Sequence, residues 1–117
     1  MSKTRTEMDS MGPVEVPEDA YWGAQTQRSL NAFSITGERM DLALVHALAL
    51  VKKCAALANH ALNGLDEERM WLIVRTVDEI LEGKLDEHFP VRVWTSGSGT
   101  HSNMNVNEVI ANRAHVL

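Results

Sequence analysis

Ser96, Ser98 and Thr100 alternate with Gly97 and Gly99, and a helical pattern of residues begins immediately beyond them. Three hydroxyls and two glycines at a helix start make a place for an anion. The first turn of a helix carries backbone N–H groups without intrahelical partners, and the aligned peptide dipoles add partial positive charge there. Glycine lets backbone approach a ligand, while Ser and Thr hydroxyls donate to carboxylate or phosphate oxygens. Nucleotide signatures are absent: no lysine follows the second glycine, and the third glycine of G-x-G-x-x-G falls on Ser102. The same residues have a purely structural use, with Thr100 or Ser102 capping the helix and the glycines making a turn.

The residues that follow weigh against that plainer use. Asn103, Asn105, Asn107 and Asn112 lie in one helical segment, although Asn is a poor residue for a helix interior. Spacings of three and four put Asn105, Glu108 and Asn112 on one face, with Val106, Val109, Ile110 and Ala114 as an apolar flank. A polar network beside a ligand loop is the expectation.

The elements that must position this loop are read from periodicity and punctuation. Residues 1–39 are expected to form a long, mostly irregular arm, broken by Gly12, Pro13, Pro17, Gly23 and Gly37, with Val14 and Val16 in a short extended piece. Tyr21 and Trp22 give the arm something to bury, and Arg28 is expected in an ordinary ion pair. The helical part spans residues 40–117. A first helix runs from Asp41 to Asn63 and ends at Gly64; a second is capped by Asp66 and stops at Gly83, with Met70, Ile73, Val74, Val77, Ile80 and Leu81 on one face. The two pair as antiparallel mates. Residues 89–94 read as a short extended segment delivering the chain to the loop, and a last helix follows. The fold class is thus mainly α, a single domain of residues 1–117.

On the first helix His46, Lys52, Lys53, Asn59, His60 and Asn63 form one stripe, and the remaining surface is Leu, Val and Ala. A helix apolar over most of its circumference needs cover on several sides. Further chain beyond Leu117 and other subunits are both expected to supply it.

Sixteen acidic against eleven basic residues leave a net charge of −5, which argues against nucleic acid as a partner. Cys54 is the single cysteine and is expected to be a small buried side chain in a reducing, cytoplasmic setting. No membrane association is expected, because no uncharged apolar run reaches spanning length and the first residues lack the apolar block of a signal peptide. No metal constellation is visible around the five histidines, so no cofactor is expected.

The run Gly-Ser-Gly-Thr-x-Ser-Asn-Met-Asn-x-Asn-Glu-Val-x-Ala-Asn-Arg, residues 97–113, resembles the first signature region of class II fumarate hydratases in the fumarase/aspartase superfamily. A second resemblance lies in Arg5-Thr-Glu7-x-Asp9-Ser-Met-Gly12-x-Val-x-Val16-Pro17 and in Trp22-Gly-Ala-Gln-Thr-Gln-Arg28-Ser. The resemblance implies reversible, metal-free hydration of fumarate to (S)-malate, in the tricarboxylic acid cycle, by a helical homotetramer. It also implies that Ser98, Gly99 and Thr100 bind a substrate carboxylate. Asn103 and Asn105 are then expected to support the loop from behind.

His101 stands where such enzymes often have Gln, and Thr95-Ser96 replaces a common Gln-Thr. The family's catalytic His and Ser belong to later signatures, so no catalytic residue is expected within these 117. The chain resembles the N-terminal lyase domain alone, without the central bundle and C-terminal domains, and is expected to be inactive by itself. Aspartate ammonia-lyase is the nearest alternative, but its loop usually reads Gly-Gly-Ala-Gly-Thr, and Ser98 in place of that Ala favours the hydratase. A helical dicarboxylate-binding module without catalysis is the other.

Overall fold

The computed structural model describes residues 3–117. Two strands, β1 (Thr4–Asp9) and β2 (Gly12–Pro17), are followed by four helices, α1 (Ala24–Ala32), α2 (Leu42–Ala61), α3 (Glu67–Leu81) and α4 (Thr100–Val116), with a 3₁₀ turn at Asp86–His88. The architecture is mainly α, as the periodicity implied.

The arm is more regular than its local signals suggested. β1 and β2 pair antiparallel with Asp9 opposite Gly12, leaving a two-residue turn. Asp9 Oδ1 accepts from the Met11 N–H at 2.9 Å, and Gly12 takes φ +108°, a conformation open to glycine and strained for other residues. A hairpin this small does not stand alone in water; long-range contacts hold it. Val16 is fully buried, and Arg28 of α1 forks onto Asp9 with both bonds at 2.8 Å while donating to the Gly12 carbonyl. That guanidinium holds the Asp9 carboxyl below the usual carboxylate range. Arg28 is therefore the ion-pair residue expected. Arg5 gathers the next stretch by donating to the carbonyls of Pro17, Glu18, Ala20 and Trp22. An irregular arm was expected because these partners lie far from each other in sequence.

Asp41 caps α2 by accepting from the Ala43 N–H at 2.8 Å, and Asp66 caps α3 through Arg69 N–H at 3.2 Å. At the end of α2 the left-handed residue is Asn63, φ 62°, and not Gly64; Asn is the usual substitute for glycine in that role. Gly83, φ +80°, follows α3 as expected. The Lys53–Asp78 ion pair at 2.7 Å and the packing of Ala56 against Met70 and Val74 show α2 and α3 running antiparallel. The main core joins Val45 and Ala49 of α2, Val77 and Ile80 of α3, Val106, Val109 and Ile110 of α4, and Leu85 and Phe89, with Tyr21 and Trp22 against it. Beside it Arg113 of α4 forks onto Glu79 of α3 at 2.7 and 2.9 Å, which lowers the Glu79 carboxyl below its ordinary range.

The extended segment expected at 89–94 is reduced to one bridge, Arg39 to Arg92. Two backbone bonds flank that bridge, Met40 N–H to the Val91 carbonyl at 2.9 Å and Val93 N–H to the Glu38 carbonyl at 3.0 Å, while Phe89 and Val91 are buried.

The stripe on α2 faces the opposite way from a simple amphipathic helix. His46, Lys52, Lys53 and His60 are half-buried against the protein, whereas Leu42, Leu44, Leu50, Val51 and Leu57 are exposed. Cys54, expected to be buried, is exposed on this outer side. The mismatch is one of numbers: α3 and α4 cover only a narrow track of a helix that is apolar nearly all round. By length and hydropathy α2 is also of the kind that can cross a membrane, a test that core helices of soluble proteins meet too.

Candidate functional site

The Ser96–Thr100 loop is at the surface. Ser96, Gly97, Ser98, Gly99 and Thr100 are all exposed, with Trp94 open beside them at 58%. Gly97 and Gly99 both take left-handed backbone, φ 86° and 81°. A Cβ at either would meet no atom within 4 Å, so backbone conformation and not crowding requires glycine there. The open space over these two residues is where a ligand could approach the main chain.

The three hydroxyls form a chain, Ser96 Oγ to Ser98 Oγ at 3.0 Å and Ser98 Oγ to Thr100 Oγ1 at 3.1 Å. The Thr100 N–H donates weakly to Ser98 Oγ at 3.3 Å. Gly99 occupies the N-cap position of α4, and no side chain caps that helix. Neither Thr100 nor Ser102 is the cap that the plainer reading required: Thr100 is already the first helical residue and Ser102 is buried at 3%. An uncapped helix start facing water, with hydroxyls beside it, can donate several hydrogen bonds to one carboxylate.

The polar residues of α4 are taken up by the arm, by the 3₁₀ turn and by α2. His101, Asn105, Glu108 and Asn112 follow one another at spacings of four, three and four, a single seam along α4. His101 and Glu108 meet α1, Asn105 the 3₁₀ turn and Asn112 the segment before α1. His101 Nδ1 lies 2.6 Å from Ser29 Oγ, and the ring packs edge-on against Phe33 with centroids 5.2 Å apart. Asn105, 2% exposed, donates to the His88 carbonyl at 3.0 Å. Glu108 accepts from Gln25 N–H at 3.0 Å, Thr26 N–H at 2.8 Å and Thr26 Oγ1 at 2.5 Å. Asn112 donates to the Tyr21 carbonyl at 2.7 Å. Buried polar groups must be paired, and here the pairing fixes the rotation of α4 about its axis. Asn103 lies off this seam, accepting from Lys52 Nζ at 2.7 Å; burial lowers the Lys52 ammonium below its ordinary value.

The structure thus brings Ser98, Gly99 and Thr100 together at the loop, sets Asn103 one turn on against α2, and uses Asn105 to tie the 3₁₀ turn to α4. Sequence reasoning missed His101, Ser29 and Lys52. The heptad step from His101 to Glu108 was the one signal available.

His88 carries a pH prediction. It is buried, Tyr21 N–H donates to its Nδ1 at 3.1 Å, and burial lowers its pKa below the ordinary 6.5. A base with a depressed folded pKa binds its proton more readily in the unfolded chain, so stability falls as pH drops below about 6.5. The thermal midpoint of the wild-type protein should decline from pH 7 to pH 5.5, and His88→Asn, which keeps an acceptor for Tyr21, should flatten that slope.

Among the described residues no group of three His, Cys, Asp or Glu side chains could hold a metal ion.

A family model described as "Lyase" matches residues 12–116. The chain is 61% identical over 114 residues to a fumarate hydratase class II of Pseudomonas aeruginosa, covering 97% of this chain and 25% of that protein. A Brucella suis fumarate hydratase class II is 60% identical with the same coverage. Among solved structures, the class II fumarase from Schistosoma mansoni superposes with a TM-score of 0.94 at 40% identity, covering 96% of this chain and 24% of that one. The chain therefore spans about a quarter of the length of the curated relatives it matches. With the family model matched from Gly12 to Val116 and fumarate hydratases similar over nearly all of its residues, the chain belongs to the lyase family and is similar, within it, to the class II fumarate hydratases.

Proposed function

We propose that this chain is the N-terminal domain of a class II fumarate hydratase, and that Ser98, Thr100 and the Gly99 backbone hold one carboxylate of fumarate or malate. The observation that carries the reading is the exposed hydroxyl chain on two left-handed glycines at the uncapped start of α4. The chemistry fits such a cradle. Malate loses a proton from the carbon next to a carboxylate, and the intermediate carries extra negative charge on that carboxylate before hydroxide departs as water. Donors already aimed at those oxygens stabilise the intermediate more than the ground state. Each hydrogen bond to a charged group contributes roughly 1.5–3 kcal/mol.

The acid and base come from elsewhere in the complete enzyme, which acts in the tricarboxylic acid cycle of the cytoplasm as a homotetramer. The exposed leucines of α2 support burial of that face in the larger assembly. The complete protein should consume fumarate, followed by the ultraviolet absorbance of its double bond, and form (S)-malate. The 117 residues alone should do neither. Release of ammonia from aspartate, with no malate formed from fumarate, would replace the hydratase by an ammonia-lyase.

A further inference from the structure

We infer that His101 is a positioning residue for the carboxylate cradle, acting through Ser29; this rests on the reading of Ser98 and Thr100 as the carboxylate site. His101 is the residue directly after Thr100, in the first turn of α4. Its Nδ1 contacts Ser29 Oγ at 2.6 Å, its ring lies edge-on to Phe33, and both partners belong to α1 or its C-cap. Ser29 is 4% exposed, so its hydroxyl depends on a protein partner.

Seven residues further along α4, Glu108 grips the N-terminus of the same helix through Gln25 and Thr26. The two contacts are two turns apart on α4, roughly 10 Å, and hold α1 antiparallel to it. Without His101 the first turn of α4 is tied to α2, through Lys52 and Asn103, but its α1 side is left open to fray, as uncapped helix ends do. His101 closes that turn onto α1. The Thr100 hydroxyl and the first N–H groups are then held in one arrangement, and donors fixed before substrate arrives are what charge stabilisation demands.

The test uses the complete enzyme with His101→Ala, Ser29→Ala, the double variant and His101→Asn. Asn places a polar δ atom near the Nδ1 position, within reach of Ser29. Alanine is the best helix former and asparagine a poor one, so a role in helix stability alone ranks Ala above Asn, and positioning ranks them the other way. His101→Ala and Ser29→Ala should each lower kcat/KM about tenfold, from misplacement of the donors. The double variant should be no worse than either single one, as for two residues acting through one contact. His101→Asn should return to within about threefold of wild type.

Wild-type kinetics in both alanine variants, multiplied effects in the double, or His101→Asn as impaired as His101→Ala would overturn the inference. Thr100→Val separates the two levels. Unchanged kinetics in that variant removes the carboxylate reading itself, whereas a loss there beside an innocent His101→Ala removes only the positioning role.

Discussion

Thr100→Val in the complete enzyme should lower kcat/KM for malate by about a hundredfold, the usual loss when one donor to a developing oxyanion is removed. Valine keeps the shape of threonine and replaces only the hydroxyl by a methyl. Thr100 is exposed, and its hydroxyl bonds only to Ser98 Oγ within the loop, so folding has little at stake. The thermal midpoint should stay within about 2 °C of wild type, as surface changes away from packed features usually do. Steady-state kinetics and a melting curve on the same preparation decide the matter. A loss of activity with an intact fold places Thr100 at the substrate, and unchanged kinetics removes it.

Glu108→Ala should have the largest effect on stability, about 3 kcal/mol in denaturant unfolding, from losing charge-assisted bonds and stranding their donors. Helix α1 has Gly23 at its N-cap position, with no side chain to cap it, and carries no acidic residue in its first turn. Glu108 fills both roles from 82 residues away, with one carboxylate oxygen taking Thr26 N–H and Oγ1 and the other taking Gln25 N–H. Glu108→Gln should recover less than half of the loss. An amide offers one acceptor and turns a donor toward the remaining N–H, which leaves that pair unsatisfied. The same crowding explains Gly23: a Cβ there would run into the Glu108 carboxylate. Should Glu108→Ala unfold at the wild-type denaturant concentration, the contact is incidental and α1 is held by packing alone.

These two residues lie within nine positions of each other, yet one was legible as a candidate and the other was not. Thr100 belongs to a local pattern, glycine alternating with hydroxyl ahead of a helix, whose chemistry follows from groups that neighbours in sequence place side by side. Glu108 was legible only as a member of a polar face with Asn105 and Asn112. Its partners, Gln25 and Thr26, sit in the arm, and nothing local announces a pairing across 82 residues. For the same reason the partners of the polar network expected beside the loop, in the arm, the 3₁₀ turn and α2, could not be named in advance.

Asp41 and Asp66 as caps, the stop at Gly83 and the antiparallel pair α2 and α3 were readable because capping and helical periodicity are local, acting within one or two turns. The alternation of glycine and hydroxyl at Ser98, Gly99 and Thr100, ahead of a helix start, was legible in the same local way. Tertiary structure alone decided the hairpin of residues 4–17, which needs Arg28 on Asp9 and a buried Val16. It alone turned the lysines of α2 inward to Asn103 and Asp78, left Cys54 and the leucines outside, and locked the rotation of α4. Those outcomes depend on burial and on partners distant along the chain, and hydrogen bonds between such partners exist only once the helices have packed.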